Sequence, residues 1–428
     1  MALLARRGAI GAIGARGVSI LASFLLTFVV ARFLNVEDAG AFFLVFTSLA
    51  IAATFGRFGT DNLALKLVGG ASTDVRRDVR QLLLISFIAS ALTVVVGVAL
   101  LLLLPIQLPG VGTPTMVLAT SAVVPQSLAV LAGALLRARG RLVVGTFAEL
   151  GSLPTIATLT MLVIALFGQL TLAGAITCFA AASWLTAAWA IGAAVIAIRH
   201  GEHPVATKPR SLGQFVATYL RQLAPMMGTS LIFYVVTWVP IFVLTAVGDL
   251  EAVSFYTVAA RLAGFVGLIP AIQVSYLAPT FARLYQASDI AGLNQLAAHS
   301  SRTALAVAAL PAAALIIAPG LVLRLLYGAP YESAAAALVW LTMGVLVTVA
   351  AGQVNQLMLL CDLEQFALWL NTGLLAFWAV AGLYAAHNWG LTGVIGVSVI
   401  VTVVYQVAAV VRLRVRASIL SYVRLKDG

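Results

Sequence analysis

Apolar residues run along this chain in long blocks, separated by short polar or glycine- and proline-marked turns, from one end to the other. Twelve blocks are candidate spans: 9–33, 40–66, 81–104, 115–136, 142–167, 171–198, 220–247, 252–277, 302–326, 334–360, 366–386 and 390–411. Most hold about 20–27 residues, which at about 1.5 Å per residue covers the roughly 30 Å of hydrocarbon in a bilayer. No water is available in that layer, so backbone groups must bond within the protein, and helices are predicted throughout. A transmembrane barrel needs short alternating segments, and the chain has none. Pro125, Pro154, Pro240, Pro270 and Pro311 fall inside blocks, as membrane helices tolerate. Gly8, Gly11, Gly14 and Gly17 form a bare stripe on the first helix, suited to close helix contact.

The polar stretches divide the chain. The longest internal one, Arg199–Arg210 with Pro204 and Pro209, separates six candidate helices from six. The expected domains are a first bundle over 1–200, a linker over 201–219 and a second bundle over 220–428 with a short tail. Thr280–Ser301 reads as a short helix along the membrane surface. The halves echo one another: Asp38 and Phe42-Phe43 open the second span, while Glu251 and Phe255-Tyr256 open the eighth. Each match lies 213 residues apart (251 − 38, 255 − 42, 256 − 43), about half the chain. Parallel repeats about an axis along the membrane normal are expected.

Composition fits this class. The chain is 62% hydrophobic and 9% charged, against about one quarter charged in a soluble domain. Its net charge of +11 would suggest nucleic acid, but the distribution argues otherwise. With the amino terminus in the cytoplasm, most of the 25 lysines and arginines fall in inner loops and tails, among them Arg76, Arg77, Arg80, Arg137, Arg139, Arg141, Arg412 and Arg414. The outer loops carry Glu37, Asp38, Asp249, Glu251 and Glu332. This is the positive-inside bias, and it places both termini in the cytoplasm without a nucleic-acid partner. The basic loops are first topology signals and secondarily surfaces for anionic membrane lipids. No cleavable signal peptide is expected, because the first apolar run is too long and lacks a small-residue cleavage site. Cys178 and Cys361 read as small core side chains. The four histidines lie in or beside loops without ligand spacing, and no metal or other cofactor is expected. There is no phosphate-binding glycine loop and no nucleophile elbow, so no catalytic residue is assigned.

Several segments together resemble the polysaccharide flippases of the multidrug/oligosaccharidyl-lipid/polysaccharide exporter superfamily, Wzx-type O-antigen and capsule flippases above all. They are V-V-A-R-F-L-N-V-E-D-A-G-A-F (Val29–Phe42), G-R-F-G-T-D-N (Gly56–Asn62), L-L-R-A-R-G-R (Leu135–Arg141) and S-F-Y-T-V-A-A-R-L (Ser254–Leu262). One departure is Asn35, where such proteins commonly carry glycine; asparagine also tolerates left-handed geometry. The resemblance implies an all-α polytopic membrane protein of about twelve helices, in two six-helix bundles that form a V around a central cavity. It implies alternating access and an undecaprenyl-pyrophosphate-linked oligosaccharide repeat unit as cargo. It also implies the bacterial cytoplasmic (inner) membrane, and polysaccharide polymerase and chain-length proteins as partners.

Charges inside spans are costly and point to function. Arg57 lies deep in the second span, where its donor fork suits pyrophosphate or an acidic sugar. The structural alternative is an ion pair with Asp61 four residues on. Asp61 and Asn62 would orient Arg57 or line the inner mouth. Arg261 is the second half's candidate cation, with a structural pair to an acid such as Glu149 as its alternative. Arg16 lies shallower and either lines a cavity or snorkels. Arg32 and Arg324 read as interface anchors. Glu149 is the one acid well inside a span away from Asp61, and suits proton or cation coupling or else pairs with a buried arginine. Gln353, Asn355 and Gln356 either bond sugar hydroxyls or hold helices together. Tyr234, Trp238, Tyr256, Gln273 and Tyr276 offer sugars a surface or pack in the core.

The expected function is thus a lipid-linked oligosaccharide flippase serving O-antigen, capsule or exopolysaccharide synthesis. A multidrug or organic-cation antiporter of the same superfamily is the alternative, disfavoured by the largely basic intramembrane charge. A membrane polymerase or glycosyltransferase is disfavoured by the short outer loops.

Overall fold

A computed structural model describes residues 2–69, 75–103, 111–199, 212–361, 363–417, 419 and 422. The expected linker falls largely on 200–211, outside the described residues. The chain divides into two compact units, Met1–Tyr234 and Val235–Gly428, with the boundary inside one long helix.

The first unit contains α1 (Ala2–Phe33), α2 (Val36–Arg57), α3 (Thr60–Val68), α4 (Val75–Leu103), α5 (Thr113–Ser121) and α6 (Val123–Ala138). It continues with α7 (Leu142–Leu150), α8 (Ser152–Phe167), α9 (Leu172–Arg199) and the first part of α10 (Leu212–Ala246). The second unit holds the rest of α10, then α11 (Leu250–Val266), α12 (Leu268–Gln286), α13 (Ile290–Ile317) and α14 (Pro319–Tyr327). A 3-10 stretch (Ala329–Ala334) leads into α15 (Ala335–Ala351), α16 (Val354–Leu360) and α17 (Glu364–Phe377). A π turn (Trp378–Gly382) then opens α18 (Leu383–Ala417).

Each unit is built around one central helix. In the first, α6 packs against α2, α3, α4, α7 and α9, and Leu131–Leu136 are all buried. In the second, α15 packs against α11, α13 and α18. The interiors are rich in alanine, serine and threonine, whereas large apolar side chains such as Leu103, Phe167, Leu310, Trp369 and Val415 point outward. A water-soluble protein does the reverse over areas this large. The chain is a multi-span membrane protein.

The starts of α2 and α11 are built alike, although their caps lie 214 residues apart (249 − 35), one residue off the 213-residue echo. The Asn35 side chain accepts the Asp38 N–H at 2.7 Å, and the Asp249 side chain accepts the Ala252 N–H at 2.8 Å. Both α2 and α11 therefore open on an Asx cap, which satisfies one of the otherwise unbonded first-turn donors. The aromatic pairs anchor each helix: Phe42 meets Phe179 edge-on at 5.9 Å, and Phe255 meets Tyr331 edge-on at 5.8 Å.

Several spans are not the continuous helices expected. The second breaks at Phe58-Gly59, the eighth at Gly267 and the tenth at Gly352. The fifth bends by 53° between α7 and α8. At that bend Gly151 lies against the Phe147 ring and Ser19 of α1, with no room for a side chain. Residues 290–301, read as part of a surface helix, are the first turns of the 28-residue α13. Of the glycine stripe, a Cβ at Gly11 would run into Val143, whereas one at Gly14 or Gly17 would meet nothing within 4 Å outside its own helix among the described residues.

Among the described residues, eight helices are long and apolar enough to cross a bilayer, or ten with two bent pairs counted as spans. The 53-residue stretch Glu364–Arg416 covers the last two of the twelve blocks expected from the sequence. Gly390 (φ 54°, ψ −136°) interrupts that stretch. A side chain at Gly393 would lie 3.0 Å from Ala385 Cβ, although eight residues of straight helix separate their ends by about 12 Å. The chain folds back on itself there.

Candidate functional site

The break after α2 is built by two left-handed residues, Phe58 (φ 50°) and Gly59 (φ 74°). Glycine is needed at the second: its backbone approaches α10 so closely that a Cβ would lie 2.8 Å from the Leu223 carbonyl and 3.1 Å from Met226 Cβ. A broken helix leaves backbone carbonyls without partners, and hydroxyls take them up. Thr60 donates to the Arg57 carbonyl at 2.6 Å, and Ser127, whose hydroxyl donates to the Val123 carbonyl of its own helix at 2.7 Å, lies 3.1 Å from the Ala53 carbonyl. Gly56 lets Ser90 and Ser127 come this near, since a Cβ there would lie 2.6 Å from Ser127 Oγ.

Arg57 is the last residue of α2 and only 6% exposed. Its Nη2 donates to Thr54 Oγ1 at 2.9 Å, its Nε lies 3.7 Å from Asp61 Oδ2, and its guanidinium sits 5.6 Å from the centre of the Tyr234 ring. The alternative pairing with Asp61 is therefore present, made across the helix break. Asp61 is part-exposed and Asn62 exposed. One turn further, Lys66 Nζ donates to Gln222 at 2.9 Å.

Glu149 is paired with Arg137, not with Arg57 or Arg261: Arg137 Nη2 lies 2.6 Å from Glu149 Oε2. Two glycines allow it. A Cβ at Gly133 would lie 2.9 Å from the Gly145 carbonyl, and one at Gly145 would lie 2.7 Å from the Gly133 carbonyl. Arg137 and Glu149 each follow their glycine by four residues, so both project one turn from the crossing on the facing sides of α6 and α7. Glu149 also feels the charges of Asp61, Arg57 and Arg16. Arg16 is exposed on α1.

In the second unit Arg261 is partly buried on α11, its guanidinium 5.5 Å from the centre of the Trp238 ring and within electrostatic reach of the Tyr327 phenol. Gln353 is buried at the α15–α16 break, where Gly352 turns left-handed (φ 81°). Its amide donates to the Pro270 carbonyl at 3.1 Å and to Gln273 Oε1 at 3.4 Å, while Gln273 donates to Thr303 at 3.0 Å. Those contacts tie α12, α13 and α16 together. Asn355 is exposed and accepts from the Tyr405 hydroxyl at 2.7 Å. The Tyr256 hydroxyl lies 3.2 Å from Ser398 Oγ. The Tyr276 side chain lies outside the described residues. Arg32 is exposed, and Arg324 pairs with Glu332 at 3.4 Å, both exposed.

Sequence reasoning missed Thr54, Ser127 and Arg137 as partners. Thr54 and Ser127 had no signal, since hydroxyls are common in membrane helices. Arg137 had none either, since in the sequence it reads as a loop charge beside Arg139 and Arg141.

A family model described as polysaccharide biosynthesis protein matches residues 5–285. Comparison with curated protein sequences finds no match. Among solved structures, the chain is similar to an inward-facing multidrug resistance MATE family transporter of the MOP superfamily, with TM-score 0.70, 15% identity, and 96% of this chain and 98% of that one covered. It is also similar to the lipid II flippase MurJ in an inward closed conformation, with TM-score 0.68, 12% identity, and 95% and 87% covered. The multidrug transporter DinF-BH in complex with R6G follows at TM-score 0.61, 16% identity, and 95% and 94% covered. These likenesses show a shared fold.

Proposed function

This chain belongs to the polysaccharide biosynthesis protein family, and we propose that it is a flippase for a lipid-linked oligosaccharide. The cargo in this reading is an undecaprenyl-pyrophosphate-linked repeat unit, moved across the bacterial cytoplasmic membrane by alternating access, for O-antigen, capsule or exopolysaccharide. Both termini are cytoplasmic, as the basic loops argue. A polysaccharide polymerase and chain-length proteins would consume the product. The observation that carries the reading is the family match over residues 5–285, which takes in Arg16, Arg57, Asp61, Asn62, Glu149, Tyr256 and Arg261.

The site geometry supports it in one respect. Arg57 is held by groups that leave its planar fork part-satisfied: one hydroxyl bond at 2.9 Å and a long 3.7 Å ion pair. A guanidinium so placed has donor capacity left for phosphate oxygens. Arg261, with an aromatic face and a phenol for neighbours, supplies a second cation. Arg57 and Arg261 receive the phosphates and Arg16 attracts them; Asp61 and Asn62 set the pose of Arg57. Gln353, Asn355 and Tyr256 meet sugar hydroxyls in this reading. Glu149 couples the cycle to a proton or cation gradient.

Deleting the gene and following the lipid-linked repeat unit tests the reading. Build-up on the inner leaflet, relieved by the wild-type chain but not by Arg57→Ala, is expected. The multidrug antiporter is the second reading, favoured by a MATE likeness equal to that of MurJ. It predicts drug sensitivity and normal polysaccharide in the deletion strain.

A further inference from the structure

A cavity of about 500 Å³ opens on the outer flank of the first unit, between α4, α6 and α9. Its deep wall is apolar, formed by Leu83, Leu128, Ile191 and Val195. At one end stand Arg76 and Arg80, both exposed. Four residues apart on a helix, they share one face with their Cβ atoms about 5–6 Å apart. Asp78, the one acid in that turn, is not part of the lining. None of these residues belongs to the site around Arg57.

The dimensions match a lipid. From Arg76 to Phe87, the far end of the α4 wall, the helix advances by about 16 Å, roughly one leaflet of hydrocarbon. The neighbouring outward side chains of α4 and α9, Phe87, Ile88 and Ile196 among them, are exposed and apolar, so the groove faces bilayer. Arg76 and Arg80 lie in the connection that the positive-inside bias assigns to the cytoplasmic face. Two guanidinium forks on one face suit a phosphate, and basic pockets between membrane helices on that face hold anionic headgroups. The charge sets the occupant: a purely apolar groove would take any acyl chain, whereas two arginines with no acid in the lining among the described residues select a negative head.

We propose that this groove is a binding site for an anionic phospholipid of the inner leaflet, with the phosphate on Arg76 and Arg80 and an acyl chain along Leu83, Leu128, Ile191 and Val195. The proposal stands independently of the transported cargo.

Native mass spectrometry of the full-length protein, with phosphatidylglycerol titrated against phosphatidylcholine, tests it. Wild type is expected to retain phosphatidylglycerol preferentially. Each of Arg76→Gln and Arg80→Gln is expected to weaken that retention about five-fold, the ratio for the ~1 kcal/mol a basic residue contributes at an anionic surface. Ile191→Trp, which fills the groove but keeps both charges, is expected to weaken it as well. Arg412→Gln with Arg414→Gln, a basic pair elsewhere, is expected to leave it unchanged. Equal retention of the two lipids by wild type, or wild-type retention in the Arg76 and Arg80 variants, overturns the proposal. So does displacement of phosphatidylglycerol by an equimolar polyprenyl phosphate, which assigns the groove to the carrier lipid. A change of oligomeric state in Ile191→Trp overturns it too, by assigning the groove to a second copy.

Discussion

Arg57 Nε reaches Asp61 Oδ2 at 3.7 Å across the break that ends one helix and starts the next. The two residues have the spacing of a helical pair, yet Phe58 and Gly59 between them are left-handed. The guanidinium is thereby held at a helix end, where Thr54 is its only hydrogen-bond partner among those described, at 2.9 Å. Removing one partner of a buried ion pair costs more than the pair is worth, because the other charge stays buried. Asp61→Asn is therefore expected to destabilise the protein by on the order of 2 kcal/mol, below the ~3–5 of a fully buried pair because Asp61 is part-exposed. A fall in the unfolding midpoint in detergent checks this, and Arg57→Met in the same background is expected to recover part of it.

The α6–α7 crossing makes a sharper packing prediction. Gly133 and Gly145 each admit the other's backbone with no space for a side chain. Gly133→Val is expected to cost about 1–3 kcal/mol by overpacking. Gly17→Ala, at a glycine with open space around it, is expected to be neutral or slightly stabilising, since alanine is the better helix former by ~1 kcal/mol. Equal midpoints for the two variants would contradict the close crossing.

Glu149 and Arg137 close that crossing at 2.6 Å. If Glu149 couples transport to an ion gradient, Glu149→Gln is expected to abolish stimulation of transport by an imposed proton or sodium gradient while leaving downhill exchange measurable. Gradient dependence equal to wild type would reduce the pair to a clasp between two helices.

Much of the architecture was legible in the sequence because hydropathy and charge report it directly. The apolar blocks became helices. The breaks were not legible. A phenylalanine in left-handed geometry at position 58 leaves no trace in a hydropathy profile, and neither Gly267 nor Gly352 differs in sequence from the glycines that sit inside intact helices. Pairing of Glu149 with an arginine was one of the two readings, but the identity of that arginine was missed for a related reason. Arg137 reads as a loop charge, and only the interlocked glycines bring it back alongside α7. The candidate residues Arg57 and Asp61 were found because charge in an apolar block is conspicuous; their hydroxyl partners are not.

Gln353 separates sugar contact from helix contact. Its amide is used on Pro270 and Gln273, so Gln353→Leu is expected to cost about 1–3 kcal/mol by leaving the buried Gln273 side-chain oxygen without its donor. Asn355→Ala, at an exposed position, is expected to be nearly silent in stability and to lower transport. Thermal unfolding and a transport assay on both variants check the contrast.

The most direct measurement is flipping of a short polyprenyl-pyrophosphate oligosaccharide in proteoliposomes containing the purified wild-type chain, Arg57→Ala or Arg261→Ala, each confirmed folded by its unfolding transition. The account predicts that wild type moves the lipid and that each variant slows it at least tenfold. Movement at the wild-type rate by both folded variants would contradict it.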